Sequence, residues 1–442
     1  MNIYRAARAK NFWITIAIAC CFAVNLPRGV RGGEDPAGEL SDEERVRIEA
    51  DARAQADEAD RLFKLHDYDA AIPIYQAERA SRALLKDSRY EAYAVRAIGL
   101  CRGELEQYEA AIEAFGEAAA IDAKRGDIGM QGCDLFLLGK CRLFLGESKE
   151  SAGTLEKAIG LLVEGKDRDH EAEARVVRGR ALDRSGRLVE AVAELRRAAT
   201  VAYEIGDEDR LAESWLEEAD IALRLGESPL ALELLTDSRI LVSKSKKAAM
   251  TARCDRLLGD ALTAIGRVDA ARFPVERAAA EHRELEDFAG LAEDLRFLAI
   301  LAIESGEFEK ALRLATERIA AESRSGDVPL IVDAYLQKAE AERFSGDFTG
   351  ESHSLEQAYK VASDAKSAPS FSIPLLVRRA DCERDRKDFK LAGELLNQAE
   401  RLAREARDDD LLSEIAEARA DLRATIDAKT KEEKSAAIVP PK

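Results

Sequence analysis

The chain has 442 residues, 46% hydrophobic and only 6% aromatic, and its 85 Asp and Glu outnumber 67 Lys and Arg for a net charge of −18. That much apolar material excludes a disordered chain, and 27 Gly with 10 Pro exclude collagen-like and proline-rich classes. The acidic balance argues against a nucleic-acid binder, which needs a net basic face. The length suits about three globular domains or one long repeat array.

At the N-terminus Arg5, Arg8 and Lys10 precede an apolar run from Phe12 to Val24. The run is shorter than the ~20 residues of a membrane span and has the anatomy of a secretory signal. Residues 1–32 are therefore predicted to be a cleaved signal peptide or a short membrane anchor. Cleavage could follow Ala19, Ala23 or Gly32, and Ala19-Cys20 also has the form of a weak lipoprotein signal. Residues 1–32 hold five basic and no acidic side chains, so the chain without them is more acidic still. Residues 33–41 close a Gly-, Pro- and charge-rich linker. Ser41-Asp42-Glu43-Glu44 then reads as a capping box that opens the first helix.

From there one pattern recurs. Its anchors are Tyr68, Tyr108, Ser148, Leu188, Ser228, Val268, Phe308, Phe348 and Phe389, spaced 40 residues apart except for a final step of 41. The extra residue falls near Ser367–Pro374, where an insertion in a loop costs little. Two before the anchor stand Gly146, Gly186, Gly226, Gly266, Gly306 and Gly346. Glycine there can take the left-handed conformation that ends a helix. Nine before it every residue is Gly or Ala, from Ala59 and Gly99 to Ala380, so a neighbouring helix must pack on nearly bare backbone. Three after it Ala recurs, broken by Ser151 and Glu351; seven after it stands an apolar residue, large in most repeats. Nineteen after it stand Asp87, Asp127, Asp167, Asp207, Asp287, Asp327 and Asp408, suited to N-capping the next helix or folding the loop. The apolar period between these columns is helical. Each unit reads as helix A, tight turn, helix B, loop. No pair can bury its apolar stripe alone, so the units must stack.

These columns resemble the tetratricopeptide repeat (TPR). Repeat 2 carries the match in Ile98-Gly99, Tyr108, Ala111, Phe115 and Ala118; repeat 6 carries it in Leu258-Gly259, Gly266, Ala271 and Val275. The 40-residue period is similar to the longer subclass found in kinesin light chains and bacterial peptide-sensing regulators. The resemblance covers about residues 52–411. It implies an all-α fold: a right-handed α-solenoid of about nine helix-turn-helix repeats plus a C-terminal capping helix. The solenoid is assigned to 42–411, the capping helix to 412–430 and a disordered tail to 431–442. Two departures stand out. The closing Pro of the repeat is missing, and Glu351 replaces Ala in repeat 8, which predicts looser packing there.

No catalytic constellation emerges. His66, His170, His282 and His353 lie at different points of the repeat, without metal-ligand spacing or a partner nucleophile. No Gly-rich phosphate cradle occurs. No cofactor is implied. Beyond Cys20 and Cys21, five scattered cysteines read as buried thiols. Pro73 and Pro274 fall about a turn inside helices B, where they should bend them; Pro329, Pro369 and Pro374 fall in loops or at the start of helix A.

A surface remains. The resemblance puts helix A on the concave side, with the positions twelve, eight and four before each anchor facing the groove. These include Arg96, Lys140, Arg180 and Arg184 in repeats 2–4, and Asp220, Arg224, Arg256 and Asp260 in repeats 5 and 6. Such alternating charges can pair with one another within the groove. Alternatively they make a bipolar groove, basic toward repeats 2–4, that holds an extended or helical peptide. The expected function is an exported, non-enzymatic scaffold, periplasmic or secreted, with a protein or peptide partner and no nucleic acid. Membrane contact would come only through the N-terminal segment. A lipid-anchored envelope-assembly lipoprotein and an enzyme regulator or unrecognised enzyme are the alternatives. High net charge favours a monomer.

Overall fold

The computed structural model describes residues 40–438, apart from 246 and 366–368. The predicted signal, the linker up to 39 and residues 439–442 lie outside the described residues. Among the described residues all regular structure is helical, and no helix is long and apolar enough to cross a membrane.

The chain divides into two compact units, Met1–Met250 and Thr251–Lys442. The first contains α1 (Asp42–Lys64), α2 (Tyr68–Leu84), α3 (Ser88–Glu104), α4 (Tyr108–Arg125), α5 (Ile128–Leu145), α6 (Ser148–Glu164), α7 (Arg168–Arg184), α8 (Leu188–Ile205), α9 (Glu208–Arg224) and α10 (Ser228–Val242). The second contains α11 (Ala248–Ala264, begun just before the boundary), α12 (Val268–Glu284), α13 (Phe288–Glu304), α14 (Phe308–Ser325), α15 (Val328–Ser345), α16 (Phe348–Asp364), α17 (Pro369–Asp385), α18 (Phe389–Ala406) and α19 (Asp409–Ile438). Odd helices up to α17 are the A helices, and even ones the B helices. Every B helix begins on its predicted anchor residue.

The recurring columns explain the pairing. A Cβ added at Gly99 would lie 2.7 Å from the Phe115 ring; at Gly139 it would lie 2.7 Å from the Leu155 side chain, and at Gly179 2.7 Å from Leu195. Gly259 meets Val275 in the same way. The small residue of helix A thus receives the large residue of its own helix B, sixteen positions on. Burying each such side chain contributes about 2 kcal/mol. Where Ser151 breaks the Ala column, its hydroxyl donates to Gly139 O at 2.7 Å. Glu351, the other break, is fully buried and accepts from Arg343 at 3.1 Å. The interior of repeat 8 is correspondingly polar, with Ser354 donating to Glu342 at 2.6 Å.

The turns follow the sequence. Gly146, Gly186, Gly226, Gly266, Gly306 and Gly346 all have φ between 72° and 87°. His66, Glu106 and Lys387 adopt the same left-handed conformation at equivalent positions, at the steric cost a side chain carries there. The Asp column caps the next helix: Asp87 accepts from Tyr90 N, Asp127 from Met130 N, Asp207 from Arg210 N and Asp287 from Gly290 N. Ser41 and Glu44 form the expected capping box. Pro374 lies inside α17, deeper than the loop or helix start assigned to it.

Stacking within each unit extends the core from repeat to repeat. In the first, Leu100, Phe115, Phe136, Leu155, Leu182, Leu195 and Ile221 belong to one buried cluster. Consecutive A helices touch: α5 with α7 and α7 with α9 in the first unit, and α13 with α15 in the second. The second unit ends on α19, whose Leu411, Ile415 and Leu422 cover Ile373, Leu376, Leu395 and Leu396. This helix caps the last repeat as expected, but runs from Asp409 to Ile438 rather than 412–430. The stretch assigned to a tail from 431 is helical as far as Ile438, because its Lys, Glu and Ala residues are good helix formers up to Pro440. The five described cysteines, Cys101, Cys133, Cys141, Cys254 and Cys382, are buried and unbridged.

Candidate functional site on the A-helix face

Helix A carries three residues per repeat toward the face that sequence assigned to a ligand. Their structural fates differ. Arg96 is only 3% exposed. Its guanidinium donates to Asp134 at 2.5 and 3.1 Å and to Asp122 at 2.5 Å. Burial raises the Asp122 carboxyl against the pull of Arg96 and Arg125. A clasp of the same form recurs four repeats later: Arg256 reaches Asp294 at 3.4 Å, and His282 Nδ1 lies 2.7 Å from Asp294 where Asp122 would stand. Arg256 also donates to Asp260 at 2.9 Å and to Glu293 O at 3.2 Å, over the Phe297 ring.

Lys140 is 1% exposed, with its Nζ 3.9 Å from Glu173 and above the Phe136 ring. Burial pushes its ammonium down to about 8. Glu104, one repeat earlier, is pushed up to about 7 by burial, with Lys140 opposing the rise. Arg180 donates to Glu217 at 2.8 Å and Glu213 at 2.6 Å. Arg184 donates to Leu143 O at 3.3 Å, and Arg224 to Asp183 at 2.7 Å with Asp220 3.8 Å away.

These charges are therefore used within the chain. Arg96, Lys140, Arg180, Arg184 and Arg224 each reach a neighbouring repeat, and Arg256 does the same in the second unit. Of the two sequence readings, pairing within the groove describes Arg96 and Lys140. Their depth comes from the neighbouring A helices, which close over both side chains. Sequence offered one signal of this: Asp134 and Asp122 stand among apolar residues on core-facing positions, where a carboxylate survives only if paired.

In the second unit the face leaves to solvent two apolar residues that sequence did not single out. Ile300 of α13 is 40% exposed and Phe344 of α15 is 58% exposed, at positions eight and four before their anchors. On the same register Glu304 and Glu340 are exposed, while Asp260 of α11 is paired with Arg256. Arg296, also on α13, is held to Glu293 at 3.0 Å.

No protein-family model matches the sequence, and no curated protein matches it. Solved structures do. A signal transduction ATPase with numerous domains from Pyrococcus horikoshii, a protein with a tetratricopeptide repeat sensor, is 15% identical, with TM-score 0.56 over 72% of this chain; the chain spans about half of that protein, 49%. RapI in its apo form is 15% identical, with TM-score 0.54 over 80% of this chain and 97% of that one. The apo quorum sensor NprR from B. thuringiensis is 10% identical, with TM-score 0.50 over 72% of this chain and 88% of that one. At these identities the likeness concerns the fold, and it agrees with the columns of small and large residues: the chain is a helical solenoid of the tetratricopeptide-repeat type.

Proposed function

We propose that the chain is a non-enzymatic protein–protein interaction scaffold whose A-helix face in repeats 7 and 8 holds a peptide segment with apolar and basic side chains. The observation that carries this is Phe344 with Ile300, two exposed apolar residues on the A-helix register, with exposed Glu304 and Glu340 on the same register. An isolated exposed apolar residue needs no explanation, but two on the ligand-facing register of touching helices form an anchor site. The carboxylates supply charge complementarity, and the net charge of −18 steers a basic segment toward it. Of two proteins of the same fold, one is described with a tetratricopeptide repeat sensor and the other as a quorum sensor, which is consistent with a receptor role. The apolar leader Phe12–Val24 supports a site of action outside the cytoplasm.

Panning a displayed random-peptide library against the full chain tests this reading. Enriched sequences should combine Lys or Arg with Leu, Ile or Phe, and a variant carrying Ile300→Ser and Phe344→Ser should lose them. Absence of enrichment, or enrichment untouched by the double variant, would refute the assigned face.

A further inference from the structure

We propose that Cys133, Asp167 and His170 form a binding site for a divalent cation of the zinc class, with a fourth coordination position open to water. The donor atoms of these three side chains all lie within 4.8 Å of one another. His170 Nδ1 is 2.7 Å from Asp167 Oδ2, and Cys133 Sγ is 3.7 Å from the same oxygen. Tetrahedral zinc has bonds of about 2.0–2.3 Å, which separate its ligand atoms by roughly 3.3–3.7 Å.

The fold prepares this place. Asp167 Oδ1 accepts from His170 N at 3.1 Å as the N-cap of α7, which fixes the carboxylate with Oδ2 toward His170 Nδ1 and Cys133 Sγ. A Cβ at Gly165 would lie 3.0 Å from Gly129 Cα, and one at Gly132 3.0 Å from the Leu162 side chain. The absent side chains let the loop before Asp167 settle on the start of α5, one turn from Cys133. Cys133 is buried while His170 and Asp167 are partly open, so a cation can enter from solvent and keep a water.

The repeat itself does not require these ligands. The positions equivalent to Cys133 include Tyr93, Glu173, Glu213, Arg253, Glu293 and Asp333; those equivalent to His170 include Tyr90, Met130, Arg210, Met250, Gly290 and Leu330. The Asp-capped turn recurs along the chain. Among the described residues a thiol and an imidazole converge on it only at Asp167. One sulfur, one imidazole nitrogen and one carboxylate oxygen suit zinc or cobalt, whereas calcium and magnesium select oxygen. Cys133 gives its proton to solvent on binding, and thiolate and carboxylate together neutralise the dication. That neutralisation also meets the objection that the positive end of a helix repels cations.

Titrating the reduced full chain with Co2+ tests the site. One equivalent should bind with a thiolate-to-cobalt charge-transfer band in the near ultraviolet and be displaced by Zn2+. Cys133→Ser should abolish the band, while Cys141→Ala, at another buried thiol, should leave it. Asn caps a helix as well as Asp does, so Asp167→Asn should keep the helical circular dichroism. Its Co2+ affinity should nevertheless fall by at least the roughly 10-fold that loss of an outer-shell partner already costs. The proposal is overturned if the wild type gives no thiolate band at saturating Co2+, if the band survives Cys133→Ser, or if Asp167→Asn binds as the wild type does. Should Cys133→Ser fail to fold, wild type and Asp167→Asn decide the matter.

Discussion

Arg96 and Lys140 occupy neighbouring repeats, and their charges are held in opposite ways. Arg96 offers a planar fork to two buried carboxylates and is satisfied by both. Removing it takes the shared guanidinium from Asp134 and leaves Asp122 to Arg125, so Arg96→Ala should destabilise the fold by about 3–5 kcal/mol. Arg96→Ala combined with Asp134→Ala should cost less than the two single changes added together, because each removes the other's partner. Denaturant titration of the four proteins checks this. Lys140 is a point charge with its carboxylate neighbour at 3.9 Å, and burial moves it and Glu104 toward their neutral forms. The signs follow from linkage. Glu104 rises from 4.5 in the unfolded chain to about 7 when folded, so its contribution is complete below pH 4.5 and is lost as pH climbs through 7. Lys140 falls from 10.5 to about 8, so its contribution is complete above 10.5 and declines as pH falls toward 8. Glu104→Gln should therefore flatten the fall in melting temperature between about pH 5 and pH 8, measured by circular dichroism.

At the scale of the helix pair, the Gly and Ala column explains both the pairing and its legibility. Gly139 leaves room for Leu155, and the same register places Phe115 over Gly99. Gly139→Ala puts a methyl 2.7 Å from Leu155, more than that side chain can yield freely. Overpacking of this kind costs about 1–3 kcal/mol, with the midpoint of urea unfolding as the readout. Gly153 is also helical, but a Cβ there meets nothing within 4 Å. Gly153→Ala should therefore be neutral or slightly stabilising, since Ala is the better helix former. Helix starts, the left-handed turn and the Asp caps were readable because each depends on a residue type within a few positions. The Arg96 and Arg256 clasps were not readable in the same way. They join residues 12 to 38 positions apart, and only the approach of successive A helices decides whether a charge twelve before the anchor meets solvent or a carboxylate. The Cys133, Asp167 and His170 cluster escaped for the same reason: no spacing rule within one helix links Cys133 to a cap 34 residues later.

Over the whole molecule, the sequence period determined the architecture, because a fixed 40-residue unit with an unburied stripe can only stack. It did not determine where a ligand docks. The residues that a TPR register would offer in repeats 2–4 are largely consumed in holding repeats together, while Ile300 and Phe344, exposed apolar residues on that same register, lie on α13 and α15. Hydrogen exchange of the full chain, with and without a peptide enriched by panning, tests that assignment most directly. Binding on the A-helix face should slow exchange in α13 and α15 at residues around Ile300 and Phe344, and leave α14 and α16 unchanged. Protection confined to the B helices, or to α19, would contradict the account.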